Sequence, residues 1–340
     1  MLLPQYPHEI LNRLDVYLPS LILDKRMPGA GGNAAQHQVL LRGLTDVRPV
    51  SRARAFRDLL PRIEGSVPGL GRVLSEPVPE FFRDDDGWGG LAWALNGSGE
   101  SPALSSLMIR LDRASVALRT MQAAGETKRI IESLELLGWG ELETMRWFLG
   151  ELRRGTNDPA PSRLLPLHAL SLLALLSAHV VDKDDEGFSL FMDEFIRSRD
   201  EESGEIRAVR YWMDDMRVQA GFETLDGFFD AALADFGTDP DTRRPEGRAF
   251  RAARTIPSFE RCAAMTRNLV ASKKIGAEIE EDYTVLGYFA RSLQKLHRLC
   301  AEAAPDLPGF DPMMPFDDWE VLRSPEFRAR LAPVWKQAPA

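Results

Sequence analysis

From Ser101 onward, apolar residues return at intervals of three and four in one segment after another. Only an α-helix turns that spacing into a continuous buried face. Ser101 and Pro102 supply an N-cap and a first-turn proline, after which Leu104, Leu107, Met108, Leu111 and Leu118 keep helical step. Ile130, Ile131, Leu134 and Leu137 continue the pattern up to Gly138. Leu142, Met145, Leu149 and Leu152 form the next stripe, closed by Arg153, Arg154 and Gly155. Three consecutive antiparallel helices with short turns are expected here. Further helices are expected over 188–197, 205–217 and 224–236. Ser258 then caps a helix with Phe259, Cys262, Thr266 and Leu269 in line. A longer one carries Leu286, Phe289, Leu293, Leu296 and Cys300.

The expected fold is therefore all-α, an irregular multi-helix bundle or α-solenoid-like arrangement with a loop-rich N-terminal region and an extended C-terminal tail. Its 340 residues suffice for one large domain or two modest ones. The Pro/Asn/Asp-rich run at 156–162 is the clearest break. It separates an N-terminal helical region, 1–155, from a C-terminal helical region, 163–303. A Pro/Asp-rich tail, 304–340, is expected to run extended over 305–318 before a short helix at Ser324. A second polar break is expected over 237–247.

The stretch 164–181 has 18 residues without a formal charge, which reaches the length of a membrane span. Its eight leucines favour insertion by roughly 4 kcal/mol. Pro166, His168, Ser171, Ser177 and His179 oppose it, and the stretch reads as the buried central rod of a bundle. The first nine residues have no basic start and no sustained apolar run, so a cytoplasmic location is expected, with no membrane partner. Arginine outnumbers lysine 35 to 7, which suggests a GC-rich bacterial genome. Two cysteines exclude a disulfide scaffold or a Cys-rich zinc module.

Charge is distributed unevenly. Residues 243–274 hold seven Arg and two Lys against Glu246 and Glu260, and residues 42–62 hold six Arg against Asp46 and Asp58. The rest of the chain is strongly acidic, since the formal net charge is −9. Basic patches on an acidic body suit a polyanion or an acidic partner. Arg244, Arg248 and Arg251 stand at i, i+4 and i+7, one face of a helix, with Arg243 and Arg254 nearby. Guanidinium forks bind two oxygens of a phosphate or carboxylate at once. Aromatic interleaving is thin, Phe250 and Phe259 alone, so base stacking has little to work with.

Catalytic constellations are sparse. Arg291-x5-His297 and Arg163-x4-His168 are similar to the loose Arg-x4–6-His pattern of HEPN-type ribonucleases, all-α proteins that pair such motifs across a dimer. At this arginine content about 1.5 such spacings arise by chance. His179 and Asp182 stand one helical turn apart and suit a metal if other ligands join them, whereas His168 lies roughly 16 Å away along the helix. Gly29-x-Gly31-x-x-Ala34 resembles a relaxed dinucleotide fingerprint but lacks the preceding strand. The expectation is a non-enzymatic helical subunit or adaptor of a bacterial multiprotein system, without cofactor. Its Arg-rich surface, Arg243, Arg244, Arg248, Arg251 and Arg254, would contact nucleic acid or an acidic protein partner. The alternative is an all-α enzyme, either HEPN-like through Arg291 and His297 or metal-dependent through His179 and Asp182.

Overall fold

The computed structural model describes residues 124–136, 139–154, 186–236 and 239–327, with 165, 166, 169, 170, 173, 174, 176 and 177. The expected helix at Ser101, the basic stretch 42–62, the Gly29/Gly31 turn, the break at 156–162 and residues beyond 327 lie outside them. The described chain is all-α. Its helices are α1 (Thr127–Leu136), α2 (Glu143–Arg153), α3 (Glu186–Arg197), α4 (Ala208–Gln219), α5 (Leu225–Ala232), α6 (Pro240–Arg251), α7 (Phe259–Ala271), α8 (Glu280–Ala303), α9 (Met314–Asp317) and α10 (Trp319–Arg323). Among the described residues, an isolated bridge between Arg199 and Ile206 is the one trace of β-pairing. No described helix is long and apolar enough to cross a membrane. The described residues between 165 and 177 are helical and, apart from Leu165, buried.

Two compact units divide the chain. The described part of one comprises α1, α2, residues 165–177 and Leu299 onward; the other is Glu186–Arg298.

In the first unit, the stripe the spacing predicts, Leu142 just before α2 with Met145, Leu149 and Leu152 on it, is buried, and Phe148 is buried with it. The C-terminal segment covers α2 and differs from the extended path expected for 305–318. It winds through a 3-10 turn at Ala304–Asp306, then α9 and α10. Leu307, Phe310, Met313, Phe316, Trp319 and Leu322 are all buried. That is every third residue, the period of 3-10 and short helical turns, which brings one apolar edge onto the core. The Trp147 Nε1–H donates to the Pro308 carbonyl at 3.1 Å, and its ring meets Phe310 at 5.1 Å between centroids. Asp318 does for α2 what no neighbouring side chain does. Its two carboxylate oxygens accept the N–H groups of Glu143 at 2.6 Å and Thr144 at 3.0 Å, donors otherwise left over at a helix start. Burial pushes the Asp318 carboxyl up, opposed by these hydrogen bonds.

In the second unit, Phe191, Phe195 and Tyr211 form a ring triangle between α3 and α4, with centroids 5.8–6.2 Å apart. α4 starts at Ala208, three residues later than expected. The reason is a tight turn before it: Asp200 accepts from the Ser203 N–H and hydroxyl, Gly204 takes φ +67°, and the Arg207 N–H donates to the Ser198 carbonyl. α5 ends at Ala232, ahead of the expected 236, in turns over 233–235. Thr224 caps α5 and Ser258 caps α7. α8 buries Leu286, Phe289, Leu293 and Leu296, and α7 buries Cys262, Thr266 and Leu269.

The polar break expected over 237–247 is largely helix. α6 starts at Pro240, where a missing N–H removes nothing, under an Asp239 side chain that accepts from the Asp241 N–H. Pro245 lies inside, and the bond it forfeits belongs to the Asp241 carbonyl, in an exposed first turn open to water.

α4 and α8 meet closely at Gly287. The buried Trp212 ring, pinned by its Nε1–H to the Tyr283 carbonyl at 2.9 Å, would lie 2.5 Å from a Cβ there. Gly287→Ala is expected to lower unfolding stability by about 1–3 kcal/mol in urea titration; an unchanged midpoint would contradict this packing. Asp318→Ala is expected to cost about 1–2 kcal/mol, and Asp318→Asn less because it keeps an acceptor. Equal losses in the two variants would argue against the capping role.

Candidate functional site

Helix α6 carries four of the five arginines that the sequence singles out, Arg254 following in the turn after it, and each of the three in line meets a carboxylate from α4 or α5. Arg244 binds Asp230 through two atoms, Nε to Oδ1 at 3.1 Å and Nη2 to Oδ2 at 2.6 Å. Arg251 binds Asp214 in the same two-point manner, both contacts at 2.9 Å. Arg248 reaches Asp226 through Nη2 alone, at 2.7 Å. Arg243 donates to the Asp230 backbone carbonyl at 3.2 Å. Arg254 is exposed and has no carboxylate partner among the described residues.

Three guanidinium groups thus face three carboxylates. The surplus positive charge that residues 243–274 carry in sequence is offset along α6 by acids from outside that segment. The match is helical on both sides: Asp226 and Asp230 are four apart on α5, as are Arg248 and Arg244 on α6, paired in antiparallel order. The hydrogen bond from Arg244 holds the Asp230 carboxyl below the usual aspartate range, and the same bond raises Arg244.

The pairs are unequal. Arg251 and Asp214 are 28% and 31% exposed, whereas Arg248 is 59% exposed and holds one oxygen. Exposed single-point pairs contribute about 0–1 kcal/mol, so exchange of Arg248 to another anion costs little. Two-point pairs with less water access hold harder.

The carbonyls at the end of α6 are bound as well. Arg207 donates to the Ala252 carbonyl at 2.9 Å and Arg298 to that of Ala253, cations where the helix dipole favours them. Glu205 pairs with both, at 3.0 Å from Arg207 and 3.5 Å from Arg298. Beside this cluster opens a cleft of about 670 Å³ lined by Arg199, Asp200, Arg207, Arg210, Tyr211 and Asp214 among others. Its walls carry both signs of charge, and Asp214 belongs to the cleft and to the α6 row together.

Arg291 and His297 are both buried, at 5% exposure. The Arg291 Nε–H donates to the Pro257 carbonyl at 2.6 Å. Six helical residues separate the pair by about 9 Å along α8 and a third of a turn around it. His168, His179 and Asp182 lie outside the described residues, among which no group of three or more His, Cys, Asp or Glu is arranged to hold a metal ion. Burial pushes the Cys262 and Cys300 thiols up to about 12, far from thiolate chemistry at neutral pH. Tyr283 donates to Asp215 at 2.5 Å, and burial followed by this bond raises its phenol.

The sequence reading missed the acids opposite the arginines. Asp226 and Asp230 stand four apart, the same step as Arg244 and Arg248, and that match is the signal the sequence offers. No protein-family model matches this chain, and no curated protein or solved structure matches it either.

A carboxyl with a lowered pKa in the fold contributes its stability above the ordinary aspartate value, and that contribution is lost as pH falls through the folded value. Asp230→Asn should therefore be less stable than wild type at neutral pH, with the gap closing below about pH 4. Urea midpoints across a pH series measure this, and a gap constant with pH would contradict it.

Proposed function

We propose that this chain is a helical subunit of a multiprotein system that works through surface contacts rather than catalysis. Its contact is an acidic protein partner, met by Arg248 and Arg254 at the outer edge of α6 and in the turn after it. The observation that supports this reading is the graded pairing on α6. Arg244 and Arg251 are engaged at two points, while Arg248 is open and singly held and Arg254 is exposed. A carboxylate-bearing partner is favoured because carboxylates already fit this row. Phe250 and Phe259 are the only aromatic residues of 243–274, and Phe250 is buried, which gives nucleic-acid bases little to stack on. The enzymatic alternative through Arg291 and His297 draws no support from their buried positions. The excess of arginine over lysine points to a GC-rich bacterial source for this chain.

The test uses poly-L-glutamate and a short RNA duplex as separate probes against the full chain. Wild type should bind polyglutamate at low salt and weaken as salt rises. Arg248→Glu/Arg254→Glu should lose binding by roughly ten-fold with an unchanged circular dichroism spectrum. Wild type failing to bind polyglutamate, or a double variant binding like wild type, would overturn the reading. Binding of RNA in preference to polyglutamate would move the contact to nucleic acid.

A further inference from the structure

Resting on that reading, we propose that Asp226 is an internal competitor at the contact face. An acidic segment of the partner engages Arg248 by displacing the Asp226 carboxylate, while Arg244 and Arg251 stay on Asp230 and Asp214. Three features of the pairing lead there. The Arg248–Asp226 contact uses one guanidinium nitrogen and one carboxylate oxygen, and both side chains are more than two-fifths exposed, so water and solutes reach it. An incoming carboxylate replaces like with like, forming the hydrogen bond that Asp226 gives up. Asp226 is not stranded when released, because its Oδ2 lies 3.9 Å from Arg244 Nη1. It also sits in the first turn of α5, where negative charge is favoured. The neighbouring pairs lack this freedom: displacing Asp230 or Asp214 breaks two hydrogen bonds at once.

Asp226 therefore sets how strongly the face binds. With its charge present, a partner competes for Arg248; with its charge removed, Arg248 is open and Arg244 loses a second negative neighbour. The expected selectivity is for partners dense enough in carboxylate to compete, so a sparse acidic surface is rejected.

The experiment titrates labelled polyglutamate peptide with the full chain at low salt, followed by fluorescence anisotropy, with thermal melts to verify folding. Asp226→Asn and Asp226→Ser should each bind about two- to five-fold more tightly than wild type. Adding Arg248→Gln should abolish that gain. Glu223→Gln makes the same change of net charge three residues away, at an exposed carboxylate, and should bind as wild type does. Wild-type binding with no gain in either Asp226 variant would overturn the competitor role and leave the contact reading intact. An equal gain in Glu223→Gln would also overturn it, since the effect would then belong to net charge. No binding by any form would overturn the contact reading and this inference with it.

Discussion

Helix α6 has little apolar surface with which to hold itself in place. Of its twelve residues, Gly247 and Phe250 are the buried ones, and the rest of its inward face is guanidinium. An isolated helix of that length and composition is marginal in water. What fixes it is the two-point pairing of Arg244 with Asp230 and of Arg251 with Asp214, helped by the close approach of Gly247 to the Phe229 ring and by Arg207 and Arg298 on the carbonyls just past its end. The turn that carries Arg254 follows from the same docking. Ala253 adopts a left-handed conformation, φ 54°, a cost that its buried position and the Arg298 hydrogen bond to its carbonyl hold in place.

That arrangement separates two uses of arginine. Two-point, part-buried pairs bind elements of one unit together, and open single-point pairs remain available for exchange. Counting charge along the sequence cannot distinguish them, because the neutralising acids arrive from α4 and α5. The unit with α2 uses charge differently: Asp318, buried and remote in sequence, satisfies a helix start, and the apolar edge of the C-terminal segment keeps it there.

Much of the helical layout was legible. The stripes on α2 and α8, and Cys262, Thr266 and Leu269 on α7, are core because a period near 3.6 leaves one face for burial, and Ser258 caps where its side chain suggests. α6 was obscured because Pro240, Pro245 and Gly247 read as a break, while the ion pairs that override those local preferences are tertiary. The segment 304–327 was obscured for another reason. Its apolar residues recur every three positions, a weaker signature than the helical one, and its prolines and aspartates suggested an extended path. At the candidate site, the shared face of Arg244, Arg248 and Arg251 was legible from spacing. Which of them are held, and how firmly, depends on where α4 and α5 lie.

Ion pairing across α6 is energetically coupled and does not merely fill an interface. A double-mutant cycle on Arg251 and Asp214, each replaced by Ala and both together, measures it directly by urea unfolding. The expected result is a favourable coupling energy of about 0.5–1.5 kcal/mol, near the upper range for part-exposed pairs because the contact is two-point. Additive losses with no coupling would contradict it.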